Sequence, residues 1–466
     1  MIRFAPSQLA AWTGGRWTIM PEAPLSGFTM DTRQLQPGQV FVALRTAQRD
    51  GHDFLTAAVS AKASAAIVSR ADLMLKLPQL VVADPLQAFQ AIARQHRRAF
   101  GCPVIGISGS VGKTSTKNLL ALLLGGEQGG VLATEGNLNN HIGVPLTLTR
   151  LDPLKHKFAV VEAGISEPGE MTPLAEMIEP DLAIITLVAP AHVAALGSIE
   201  GVAKEKAVLP AAVRAGGVSL FPWQCATFPA FEALAGKRII VERADVIRPE
   251  KPPEDRVYFT LTHREHETAI VLAYGEPPPL VFALRRVSDG MAQNAVLAIC
   301  AALWLGVAAK DIQARLVAWT AAKMRGELRM EAGKMLYVDC YNANPASMAD
   351  ALDVFYALAP ADQPRLLVLG GMEELGAESA MFHRALGRAL RLRPQDRLWA
   401  LGEHATELCE GAQENGTRPD QLRCVTDLQA VRDEFAGFTG AVFLKGSRRY
   451  QLETLLEPMQ ETSTHA

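Results

Sequence analysis

The chain has 466 residues, of which 49% are hydrophobic and 20% charged, with a formal net charge of -3. That length predicts about two to four domains of ordinary globular composition, and the near-neutral balance argues against nucleic acid as a main partner. A local cationic pocket for a small anion remains compatible with it. The six cysteines contain no Cys-x-x-Cys pair and read as scattered reduced thiols, neither a disulfide framework nor a zinc site.

The opening Met1-Ile2-Arg3-Phe4 lacks the apolar core of a secretory signal. Residues 1–100 carry short apolar runs at Val40–Leu44, Ala65–Ser69 and Leu80–Ala83, separated by Gly and Asp turns. They predict a small mixed α/β domain, closed by a helical pattern over Pro85–Phe100. Residues 101–322 open with Pro103–Ser108, an apolar run of strand length. A Gly-rich turn and a strong helix pattern, Thr114–Leu124, follow. Further strand-like runs are Phe158–Val161 and Leu182–Val188, so strand, loop and helix alternate, as in a parallel sheet with helices on its faces. The segment Ala244–Pro279, rich in Pro, Glu and His, reads as irregular or antiparallel. Ala295–Ala309 is mostly apolar but shorter than the roughly 20 residues of a membrane span, and reads as a buried helix. Residues 323–466 repeat the alternation. Strands are predicted at Met335–Val338, Arg365–Leu369, Arg397–Leu401 and Ala441–Leu444, and helices at Ser347–Leu358 and Ser379–Leu392. The fold class expected is α/β in three domains: a small mixed one, a central parallel-sheet phosphate-loop domain, and a C-terminal Rossmann-like one. Without a signal or a span, the chain is expected to be soluble and cytoplasmic.

The strongest local signal is Gly109-Ser110-Val111-Gly112-Lys113-Thr114, with Ser115 next, where a strand ends and a helix begins. Glycines let backbone N–H groups converge on a phosphate, and the helix N-terminus adds partial positive charge. Lys113 supplies a full charge, and the Thr114 hydroxyl can ligate Mg²⁺. The first Gly of the longer Gly-x-x-x-x-Gly-Lys-Thr pattern is replaced by Ile107. In open parallel sheets, ligands bind beyond the carboxyl ends of the strands. The second predicted strand delivers Glu162 there, suited to a hard cation that bridges phosphate oxygens; the lesser alternative for this residue alone is a capping or salt-bridged Glu. The third is followed by Pro190-Ala191-His192. His192 alone reads as well as a satisfied structural residue, and Lys206, on a charged helix, as a solvated one.

In this order, these residues resemble the Mur ligase family over nearly the whole chain. Asp31-Thr32-Arg33, Pro37-Gly38, Phe41-Val42-Ala43-Leu44 and Asp50-Gly51-His52-Asp53-Phe54 look like the family's UDP-sugar-binding domain. Asn137 to Pro145 looks like its Asn-Asn-x-x-Gly-x-Pro segment. Asp339-Cys340-Tyr341-Asn342-Ala343-Asn344-Pro345, with Ser347-Met348, resembles the branch that adds D-alanyl-D-alanine, and Glu374-Leu375-Gly376, His383 and Lys445-Gly446-Ser447-Arg448 fit it too. The resemblance implies an ATP- and Mg²⁺-dependent, ADP-forming ligase that joins D-Ala-D-Ala to UDP-N-acetylmuramoyl-tripeptide in peptidoglycan precursor synthesis, working as a monomer. It implies that residues 1–100 bind the UDP-sugar, 101–322 ATP and 323–466 the dipeptide. Gly109 to Ser115, with Lys113, would hold the ATP phosphates. Thr114 and Glu162 would hold one magnesium; Glu162 and His192 would lie near a second. Lys206 matches a lysine that many members carbamylate into a metal-binding anion. Asn294 and Arg325 would lie beside adenine, and Asp339 at the ribose. Asp31, Thr32, Arg33, Asn139, Asn140, Asn342 and Asn344 would face the substrates.

Several positions depart from the family pattern. Leu187 and Ala189 stand where Asn and Gly are usual, Ala207-Val208-Leu209 where Gly-Glu-Ile is common, Gly290-Met291 where His-Asn is common, and Gly371 in place of Asp. The rival expectations are a sibling or folylpolyglutamate-like ligase with another acceptor, a non-ligating nucleotide-binding regulator, and a plain phosphate-loop hydrolase.

Overall fold

A computed structural model describes residues 2–247, 252–276, 278–331 and 333–456. Among these residues the strands form three sheets, and each sheet draws its strands from one stretch of sequence.

The central sheet has nine strands among the described residues. From one edge they run Val131–Ala133, Phe158–Glu162, Val104–Ser108, Leu182–Ile185, Val218–Pro222, Lys237–Arg243, Arg256–His263, Glu267–Ala273 and Leu280–Arg285. The first seven are parallel; Glu267–Ala273 then runs antiparallel to the seventh, and Leu280–Arg285 antiparallel to Glu267–Ala273. Val104–Ser108 is buried at every position, because both faces are covered. Ile105, Ile107, Val160 and Ile184 point to one layer, with Leu119 and Leu123 of helix Lys113–Leu123 and Val296 and Cys300 of helix Asp289–Trp304. Val104, Val161 and Ile185 point to the other, under helices Met171–Ile178 and Ile199–Ala211.

The three strands predicted for this sheet, Pro103–Ser108, Phe158–Val161 and Leu182–Val188, are present, and two readings in this domain need correction while a third holds; the parallel strands Val131–Ala133, Val218–Pro222, Lys237–Arg243 and Arg256–His263 are not among those expected. The strand expected over Leu182–Val188 ends at Ile185. Beyond it, the Thr186 hydroxyl donates to Val111 O and the Leu187 carbonyl accepts from Ser110 N, so the chain is diverted to brace the neighbouring loop. The buried helix expected over Ala295–Ala309 is Asp289–Trp304. It starts earlier because Ser288 Oγ caps it, accepting from Met291 N, and Gly306, at φ 86°, separates it from helix Ala309–Val317. In Ala244–Pro279, the antiparallel alternative holds: Arg256–His263 pairs with Glu267–Ala273, while residues 248–251 and 277 lie outside the described residues.

The N-terminal sheet runs in the order Arg16–Trp17, Gln79–Val81, Ala65–Val68, Val40–Val42, Phe28–Thr29. Helix Pro85–Arg98 packs Phe89 and Ile92 on it and reaches the central sheet through Arg97. The Arg97 guanidinium, fully buried, donates to Ile178 O, Glu179 O and Asp181 Oδ2. The C-terminal sheet runs Glu327–Glu331, Lys334–Asp339, Ala441–Lys445, Arg365–Gly370, Arg397–Leu401, Leu422–Val425, parallel except for the first. The short edge strands Arg16–Trp17 and Glu327–Glu331 escape the hydrophobic pattern because polar residues interrupt them. The whole is a three-domain α/β fold. Among the described residues, no helix is long and apolar enough to cross a membrane.

Candidate active site

Strand Val104–Ser108 ends in a loop that only glycine permits at two positions. Gly109 has φ 146°, and a Cβ there would sit 1.9 Å from Thr186 Oγ1. Gly112 has φ 85°, and a Cβ would sit 2.4 Å from Asn294 Nδ2. Ser110 fixes the turn by donating to Ala189 O at 2.8 Å and accepting from Ala189 N at 3.0 Å. Leu187 and Ala189 thus support the loop through their backbones. Helix Lys113–Leu123 begins directly after, and its first N–H groups lack intrahelical partners. Lys113 Nζ folds back to donate to Gly109 O at 2.7 Å. Burial pushes its ammonium below the ordinary value, and the Glu162 carboxylate opposes the shift.

Glu162, 1% exposed, ends strand Phe158–Glu162 beside this loop. It accepts from Thr114 Oγ1 at 2.9 Å and from Asn139 Nδ2 at 2.8 Å. Asn140 is used structurally: its Oδ1 accepts from Ile142 N and Gly143 N at the start of helix Gly143–Leu148.

Lys113, Thr114, Glu162 and His192 line one cavity of about 550 Å³ between the central and C-terminal sheets. Ser110, Val111, Gly112, Ser115, Asn139, Asn140, Asn294, Arg325, Asp339, Asn342 and Asn344 line it too. Asp339 Oδ2 pairs with Lys445 Nζ at 2.6 Å, and Arg325 stacks over Tyr341 at 4.0 Å. Asn344 caps helix Pro345–Leu358 by accepting from Ser347 N. His192 Nδ1 meets Glu374 Oε2 at 2.5 Å across the two domains, and both residues have positive φ. The hydrogen bond from His192 holds the Glu374 carboxyl below its usual range.

Five expected site residues do not line the cavity. Gly109 lies behind the loop it shapes. Asp31, Thr32 and Arg33 follow strand Phe28–Thr29 on the N-terminal domain, where Arg33 and Asp31 pair at 2.7 Å. Lys206, 1% exposed on helix Ile199–Ala211, sits within the core. Burial, then the charge of Lys113, push its ammonium well below the ordinary value.

Sequence reasoning missed Asp350, Arg285 and Trp319. Arg285 stacks on Trp319 at 4.9 Å, with nothing in the linear sequence to announce it. Asp350 accepts from Ser288 Oγ at 2.5 Å and Gly290 N at 2.9 Å, joining the C-terminal domain to the start of helix Asp289–Trp304. A Cβ at Gly290 would lie 2.8 Å from Asp350 Oδ2, so the departure to Gly fits a close approach. Gly371 has the same explanation: a Cβ would lie 2.6 Å from the Tyr450 hydroxyl, which donates to Glu373 at 2.8 Å.

Comparison with known proteins agrees with this geometry. Residues 107–302 match the Mur ligase middle domain, and residues 324–448 the Mur ligase, glutamate ligase domain. The UDP-N-acetylmuramoyl-tripeptide--D-alanyl-D-alanine ligase of Escherichia coli is 32% identical over 94% of this chain and 95% of its own. The Bacillus subtilis enzyme of that name is 30% identical over 94% of each chain. A crystal structure of MurF from Acinetobacter baumannii superposes with a TM-score of 0.85 at 27% identity, covering 98% of both chains.

Proposed function

The chain belongs to the Mur ligase family, and from that premise we propose that it joins D-alanyl-D-alanine to UDP-N-acetylmuramoyl-tripeptide while ATP becomes ADP and phosphate. The observation that carries this reading is the shared cavity: Lys113, Thr114, Glu162 and His192 face Asp339, Asn342 and Lys445 of the C-terminal domain across it.

A carboxylate is a poor acyl donor because its leaving group would be oxide. Transfer of the γ-phosphoryl group to the terminal carboxylate of the tripeptide gives an acyl phosphate. The dipeptide amine then attacks its carbonyl, and phosphate leaves. Both the carboxylate and ATP are anionic, so their approach needs positive charge fixed in advance. In this reading Lys113 and the N–H groups of Val111 to Ser115 hold the phosphates, while Gly109 and Ser110, whose N–H is taken by Leu187 O, shape the loop. Asn294 and Arg325 flank the adenine, and Asp339 meets the ribose. Asn139, Asn342 and Asn344 lie on the substrate side, with Asn140 shaping that segment. Asp31, Thr32 and Arg33 serve the uridine end.

The hard oxygen donors of Glu162 and Thr114 fit magnesium, and among the described residues no group of three His, Cys, Asp or Glu side chains converges. Glu162 and Thr114 would hold the ion, with phosphate oxygens and water as its other donors, as Mg²⁺ prefers. When bound, the ion supplies charge between the reacting anions. His192 borders the same region. Burial disfavours the Lys206 ammonium, which favours the free amine that carbamylation by carbon dioxide would require.

Each sheet comes from one stretch of sequence, which supports domains at residues 1–100, 101–322 and 323–466 for the UDP-sugar, ATP and the dipeptide. Use of ATP and a UDP-linked precursor suits the cytoplasm. A monomer as the working unit belongs to the same proposal. The test is ADP release with ATP, Mg²⁺, the UDP-linked tripeptide and D-Ala-D-Ala, each omitted in turn. Release that depends on all four supports the proposal. Release without an acceptor, or with a different one only, rejects it.

A further inference from the structure

Two cysteines that the ligation chemistry leaves unused lie side by side in the C-terminal domain. Cys409 sits on helix Ala405–Glu414 and Cys424 on the edge strand Leu422–Val425, with their sulfurs 3.5 Å apart. The fold makes this contact. The edge strand pairs in parallel with Arg397–Leu401, setting Cys424 opposite Ala400, and the helix that joins the two strands packs back on both. Cys409 is buried and Cys424 exposed, and both thiols are free. Cys225, Cys300 and Cys340 are buried in other cores. Neither Cys409 nor Cys424 lines the active-site cavity.

We propose that Cys409 and Cys424 form a thiol–disulfide exchange site, which a low-molecular-weight disulfide such as glutathione disulfide oxidises to an intramolecular bridge. A bridge needs the sulfurs at about 2.05 Å, and the two now stand in contact at 3.5 Å. The exposed Cys424 enters first. As a thiolate it attacks one sulfur of the small disulfide, breaking that S–S bond and releasing one small thiolate. Cys409 then attacks Cys424 Sγ in the mixed disulfide and expels the second. The protein loses two electrons and two protons, and the small disulfide gains them as two thiols. Burial pushes the Cys409 thiol up to about 12, so it acts second: as its sulfur bonds to Cys424 Sγ, its proton passes to the departing small thiolate. The bridge would pin helix Ala405–Glu414 to the sheet edge. In a reducing compartment it would be transient. This inference is independent of the ligase reading.

The test exposes the folded chain to glutathione disulfide, quenches with acid, and alkylates under denaturing conditions. Of the six cysteines, four should remain alkylatable, with a digest yielding a linked Cys409–Cys424 peptide. Dithiothreitol should restore all six. The variant Cys424→Ser, at an exposed position, should lose none of its remaining thiols. Cys409→Ser, once melting shows it folded, should retain one glutathione on Cys424. Full alkylation of the oxidised wild type, a glutathione adduct that persists on its Cys424, or a bridge between other cysteines would overturn the proposal.

Discussion

Replacing Lys113 by Ala removes the full positive charge of the phosphate loop. Among the described residues its Nζ hydrogen-bonds only within that loop, to Gly109 O at 2.7 Å, so the fold should survive the change. The loss falls on the reaction. One preorganised donor aimed at developing negative charge contributes about 3–4 kcal/mol in a water-poor site. Lys113 also offsets the charge of Glu162, which is left with only Thr114 and Asn139 as hydrogen-bond donors to its carboxylate among the described residues. The total is on the order of 4 kcal/mol, or about a thousandfold in rate. The assay is acceptor-dependent ADP release at saturating substrates, beside a melting curve to verify folding. A folded Lys113→Ala protein within tenfold of the wild-type rate would refute the assignment of this loop to phosphoryl transfer.

Three further outcomes follow from the geometry. In carbon-dioxide-free buffer, Lys206→Met should raise the melting temperature at neutral pH. The buried amine has a depressed pKa, so the unfolded chain binds a proton that the folded chain refuses, and stability rises with pH up to about 10.5. The gain should therefore vanish above that pH, while bicarbonate should raise the rate of the wild type and not of the variant. Gly290→His would force a side chain against Asp350, whose carboxylate lies 2.8 Å from the new Cβ. Small-angle scattering should show a larger radius of gyration, and an unchanged radius would count against the Asp350 contacts as a joint between the two domains. Asp396→Ala strands the buried guanidinium of Arg365, now paired at 2.5 Å, and should cost about 3–5 kcal/mol by urea unfolding at pH 7. Burial pushes the Asp396 carboxyl up, but Arg365 and Arg393 more than reverse this and leave it below its usual range. The pair's contribution is thus present above the ordinary carboxylate pKa and lost as pH falls through the depressed value. The difference between wild type and variant should narrow in acid.

What the sequence determined by itself was local. The run from Val104 to Leu123 specifies strand, loop and helix through neighbours in the chain: apolar residues in series, glycines where φ is positive, a lysine and threonine at the helix start. The buried parallel strands at Phe158, Arg365 and Ala441 were legible for the same reason, since burial on both faces leaves an uninterrupted apolar run. The end of the Leu182 strand was not, because its apolar run continues while tertiary hydrogen bonds from the phosphate loop redirect the backbone. The departures Gly290 and Gly371 looked like losses along the chain. In three dimensions each makes room for a group from a distant segment, Asp350 and Tyr450. Likewise His192 meets Glu374, and Asp339 meets Lys445, only once the two domains and the C-terminal sheet have packed. Backbone preference and hydrophobic period act over a few residues, and so they are written in order. Contact between remote side chains depends on how whole layers settle against one another, and only the assembled fold decides that.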